Sequence, residues 1–206
     1  NASNDFGKLG LTVSGDASVT DTNNLNLSAS TVTGALNVDV TGDNLTQAGA
    51  LTVTGDAVIT AGNVTLTNAS NDFGKLGLTV SGDASVTDTN NLNLSASTVT
   101  GALNVNVAGN DLTQNGALTV SGATSLTADK LTLTDVNNDF NTLALNLTND
   151  GSVRDKNALN LAASTVTGKL NVTFAGDLTQ SGNLQVTGAV TLNGTGTDNN
   201  ISLATN

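Results

Sequence analysis

The sequence predicts an all-β solenoid, a parallel β-helix of about nine rungs of roughly 22 residues. Three observations support this: a composition made for strands and turns, a 67-residue internal repeat, and period-two alternation of apolar and polar residues within each repeat. All 17 acidic residues are Asp, and the chain has no Glu, Met or Pro. It therefore lacks the straight-chain residues that fill helices, and Thr, Val, Leu, Asn, Asp and Gly dominate in their place.

The repeat is read directly. Residues 1–38 recur unchanged at 68–105, and a diverged third copy starts at Asp135, where VNNDF stands for ASNDF and KNALNLAASTVTGKLNV for NNLNLSASTVTGALNV. One residue is deleted near Asp177. The chain is thus expected to be a single solenoid segment, 1–206, built of repeats 1–67, 68–134 and 135–206. Its pattern is met mid-stream at both ends, as in an internal stretch of a longer protein. Sixty-seven residues are too many for one rung, and division by three suggests rungs at 76–96, 98–116 and 117–135. A sandwich or closed barrel explains the repeat less well, because edge and centre strands differ in environment whereas every solenoid rung has the same neighbours.

Within the repeats, Ile59, Leu126 and Leu192 are equivalent and always large aliphatics, while the preceding Val58, Ser125 and Thr191 drift between apolar and polar. Alternate residues point to opposite sides of a strand, so the first set faces in and the second out. The same parity turns Leu51 and Val53 inward and Thr52 and Thr54 outward. With only four aromatic residues, all Phe, burial must come from stacked small aliphatics.

The segments LTVTGDAVITAGNVTLT (51–67) and ALTVSGATSLTADKLTLT (117–134) resemble the filamentous haemagglutinin-like adhesins, giant bacterial secreted or surface proteins. The likeness is one of composition and rung pattern and extends over the whole chain. It implies a right-handed parallel β-helix, a structural shaft or filament acting as a rigid spacer or adhesive fibre, and an extracellular or outer-cell-surface location. It implies as partners other copies or repeats of the same protein and a cell-surface or matrix polysaccharide. It carries over no catalytic or binding residue, and the Asn-Pro signature of the family's secretion module is missing from a chain without Pro.

The chemistry the residues allow is narrow. His, Cys, Glu, Tyr and Trp are absent, which removes most general acids and bases, thiol nucleophiles and transition-metal ligands. The expectation is no enzyme, with no catalytic, cofactor-binding or metal residue and no cofactor. The alternatives from other classes are a polysaccharide-active β-helix using an Asp pair and an ice-binding solenoid. A net charge of −11 and six scattered basic residues (Lys8, Lys75, Lys130, Arg154, Lys156, Lys169) argue against nucleic acid. No apolar run approaches the ~18 residues of a membrane span, and no signal peptide opens the sequence, so the segment is expected to be soluble.

Three patterns remain. Asp16, Asp43, Asp56, Asp83 and Asp177 follow or nearly follow a Gly at strand ends, as a Ca²⁺-binding carboxylate column or, on the plainer reading, as turn residues. The pairs Thr31/Thr33, Thr52/Thr54, Thr65/Thr67, Thr98/Thr100, Thr132/Thr134 and Thr165/Thr167 offer a hydroxyl face or ordinary outward strand Thr. Asn-x-Ser/Thr triplets begin at Asn1, Asn26, Asn44, Asn63, Asn68, Asn93, Asn146, Asn171, Asn193 and Asn200, each a glycan acceptor or a product of composition.

Overall fold

The computed structural model describes residues 4–203. Among them every regular element is a strand, every strand pairing is parallel, and the whole is a β-solenoid of about 10 turns of roughly 19 residues. The expected fold class holds. The rung length does not: Lys8 lies beside Asn26, 18 residues on, and Ser30 beside Leu51, 21 residues on. The division of 67 by three fails because the repeat is not a whole number of turns.

Two ladders make this explicit. From Lys8 the partners run Asn26, Thr46, Thr65, Ser85, Asn104, Ser125 and Ala144. Lys75, the equivalent of Lys8 one repeat later, is absent from that file and sits midway along the chain between Thr65 and Ser85. It belongs to a second file, Asp56, Lys75, Asn93, Thr113, Thr132, Ser152, Asn171 and Thr191. Each repeat therefore winds about three and a half turns, and successive copies face opposite sides of the rod. After seven turns the first file reaches Ala144, two residues past Thr142, the third-copy equivalent of Lys8.

The half-turn moves the corners too. Residues 76–80 form one straight side, and the chain above it splits there into two short strands, Leu92–Leu94 and Ser97–Val99, with a corner between them. On the other side Leu143–Leu147 splits in the same way beneath Leu159–Leu161 and Ser164–Val166. Where corners stack, Gly is required: Gly34 lies over Gly15 so closely that a Cβ on it would come within 2.6 Å of the Gly15 carbonyl carbon.

Parity along the strands is as expected. Leu51, Val53, Ile59 and Leu126 are buried in one continuous core, Val58 and Ser125 face out, and Leu192 packs on the core from the last turns. Phe73, Phe140 and Phe174 are fully buried in the core, so the aromatic residues contribute more than their number suggests.

Three buried polar groups per repeat stitch rung to rung. Asp88 Oδ1 accepts from Phe73 N at 2.8 Å, as Asp155 Oδ1 does from Phe140 N at 2.7 Å and Asp21 Oδ1 from Phe6 N at 2.9 Å. Ser97 Oγ accepts from Leu78 N and donates to Ser95 O, and Ser30 and Ser164 do the same in their copies. Asn71 is saturated: Oδ1 accepts from Gln47 Nε2 and Leu51 N, while Nδ2 donates to Gln47 Oε1, Leu66 O and Thr87 O. Asn138 and Gln114 form the same amide pair one repeat later. Buried polar groups persist when their bonding capacity is met, and here they fix register as well.

Candidate functional site

The Gly-Asp residues are structural in the copies where partners are visible. Asp16 Oδ1 accepts from Ala35 N and Asp83 Oδ1 from Ala102 N, both at 2.8 Å, and Asp150 Oδ1 takes Lys169 N at 2.7 Å. Each carboxylate thus clasps the backbone of the next rung. Asp177 accepts from Asn200 N, Asp56 pairs with Lys75 at 3.2 Å, and Asp43 follows Gly42, whose φ of 86° makes a left-handed turn. These side chains do not converge, and among the described residues no group of three or more His, Cys, Asp or Glu is placed to hold a metal ion.

The Thr pairs are more ordered than their spacing suggested. Thr12, Thr31 and Thr52 stack on three consecutive rungs, and Thr60, Thr79, Thr98 and Thr119 stack on four on the opposite side. Each file stops at a carboxylate, Asp72 and Asp139 respectively. Of the Asn-x-Ser/Thr positions, Asn26 and Asn93 are engaged as cross-rung donors to Thr46 and Thr113, and Asn63 donates to Asn44. Asn146 and Asn171 are exposed, and Asn1 lies outside the described residues.

The buried carboxylates are the groups whose ionisation is disturbed. Burial pushes Asp88 up to about 6, with a smaller push from the Asp72 carboxylate, against the opposing bonds from Phe73 N, Asn90 N and Thr89 N. Burial likewise raises Asp155, opposed by Phe140 N and Asn157 N. Asp139 moves the other way because the Lys156 ammonium hydrogen-bonds it at 2.9 Å. These are rung clips, and sequence inspection missed them: the recurrence of Asp21, Asp88 and Asp155, of Asn71 and Asn138, and of Gln47 and Gln114 was the available signal.

Among the described residues, a groove of about 350 Å³ crosses the outward face of the second copy. Three rungs line it with Ser85 and Thr87, Asn104 and Asn106, and Ser125 and Thr127, and Thr67 stands at its edge. A hollow of about 210 Å³ adjoins it, sharing Thr87 and Asn106 and reaching Asp88. The side chains here are hydroxyls and carboxamides, each able to donate and accept. The geometry can hold a polar ligand. It offers no nucleophile–base pair.

No curated protein and no solved structure matches this chain. A family model described as repeats of unknown function (DUF5649) matches residues 14–79, 81–146 and 148–206, with starts one 67-residue period apart, and the chain belongs to that family.

Proposed function

We propose that this chain is a shaft segment of a bacterial secreted or cell-surface adhesin of the filamentous haemagglutinin type. It acts outside the cell as a rigid spacer or adhesive fibre and catalyses no reaction. The observation that carries the reading is the continuous ladder from Lys8 to Ala144, with the same polar clips returning in each repeat. Such an array is quasi-one-dimensional, stiff along its axis and extended by adding copies, which suits a spacer. Further repeats of the same protein are its axial partners.

An enzyme on this scaffold needs a local exception to the pattern, with acids and bases gathered around a reacting atom. The perturbed carboxylates instead recur with the repeat and are occupied by backbone N–H groups. An ice-binding face needs a long flat hydroxyl lattice, and the Thr files run for only three and four rungs before an Asp ends them.

The test is mechanical. Placed between a surface anchor and a fluorescent acceptor, the chain should hold the acceptor at a narrow height of ~48 Å, ten rungs at ~4.8 Å each. A broad distribution collapsed toward the surface, as a flexible linker gives, overturns the reading.

A further inference from the structure

The outward groove of the second copy carries an inference independent of any spacer role. We infer that Ser85, Thr87, Asn104, Asn106, Ser125 and Thr127 form a binding site for a neutral polysaccharide segment lying against the rungs.

Four features of the groove select this ligand class. Its volume, about 350 Å³, falls within the range of ligand sites. Its six side chains are uncharged and carry hydroxyls and carboxamides. Within the described residues they are almost free of internal partners, since only Asn106 is engaged, accepting from Ala108 N at 3.1 Å. The apolar member of the lining, Val86, is 2% exposed, so an apolar ligand finds nothing to cover.

Other partner classes fit poorly. A polyanion meets a chain of net charge −11. An extended peptide cannot add as a strand, because the backbone along this face is already paired above and below. A neutral sugar chain supplies alternating donors and acceptors at the spacing of a few ångströms that hydroxyls and amides two residues and one rung apart present.

The first copy provides an internal control on the opposite side of the rod. There the equivalents are Ser18, Thr20, Asn37, Asp39, Val58 and Thr60. Asp39 places a carboxylate where Asn106 stands and turns it onto Thr41 N and Oγ1, and Val58 replaces the Ser125 hydroxyl with two methyls. In the third copy Arg154 stands where Thr87 does, so the wholly neutral hydrogen-bonding face is a property of the second copy.

The experiment titrates the isotope-labelled chain with cellopentaose, laminaripentaose and mannopentaose, with a pentagalacturonate as the acidic control, and maps amide shifts. At least one neutral pentasaccharide should saturably shift amides of Ser85, Asn104, Asn106 and Ser125, and pentagalacturonate should not. The double variant Asn106→Asp, Ser125→Val installs residues that the first copy already accommodates at the same places. It should keep the circular dichroism of the parent and weaken binding by about tenfold or more. Absence of saturable shifts with all three neutral sugars, equal binding by the double variant, or preference for the acidic sugar overturns the assignment.

Discussion

Residues 4–38 and 71–105 are identical in sequence and opposite in placement, and their side chains differ in burial as well. Phe73 is fully buried, whereas Phe6, in the first described rung, is 37% exposed; Leu78 is buried, whereas Leu11 is partly so. Sequence fixes which way each side chain points. Burial comes from the rungs above and below, so the same residue is worth more with two neighbours than with one.

The largest expected effect tests that difference directly. Phe73→Ala removes a fully enclosed ring and should cost about 3–5 kcal/mol in chemical denaturation, whereas Phe6→Ala should cost about 1 kcal/mol. Equal losses would mean that the first described rung and the interior of the rod are packed alike in solution.

A smaller effect is expected from the clips. Asp88 and Asp155 bind protons more readily folded than unfolded, since burial raises both above the ~3.9 of a free Asp. Their stabilisation is complete below that value and is lost as pH rises through the folded value, about 6 for Asp88. The rod should therefore melt higher at pH 5 than at pH 7.5, by about 2–4 °C for each kcal/mol recovered. Relief of repulsion in a strongly acidic chain acts in the same direction. The double variant Asp88→Asn, Asp155→Asn separates the two causes: it should flatten most of the difference, and an unchanged pH dependence would assign the effect to net charge alone.

Much of this architecture is legible in the sequence. The alternation around Ile59 and Leu126 gave the correct inner face, and the exact repeat excluded folds whose strands sit in unlike environments. Rung length was not legible, because a sequence period reports when residues recur and not how many turns they have made; Lys8 and Lys75 look equivalent and lie in different files. The clips were hidden for a different reason. Buried Asp88, Asn71 and Ser97 are residue types that usually mark exposed turns; their recurrence marks them as constrained, and the cross-rung donors show that they face inward.

The smallest effect on folding should follow from the largest change in sequence. Deleting 68–134 joins residue 67 to Asp135, which begins the third repeat as Asn68 begins the second, so the local stacking partners are renewed in kind. The rod should stay folded and shorten by about three and a half rungs, ~17 Å. Its distal part should also turn through half a revolution. Thr31 and Thr165 are equivalent positions 134 residues apart, both exposed and on the same side of the rod, about seven rungs or ~34 Å from each other. After the deletion they should face opposite sides. A rung of roughly 19 residues at ~3.3 Å per residue encloses a section about 20 Å across, so spin labels at these two sites should stay more than ~25 Å apart. A repeat of three whole turns would leave both labels on one face, and pulsed dipolar measurements would then give ~14 Å, which would sink the half-turn winding while leaving the solenoid intact.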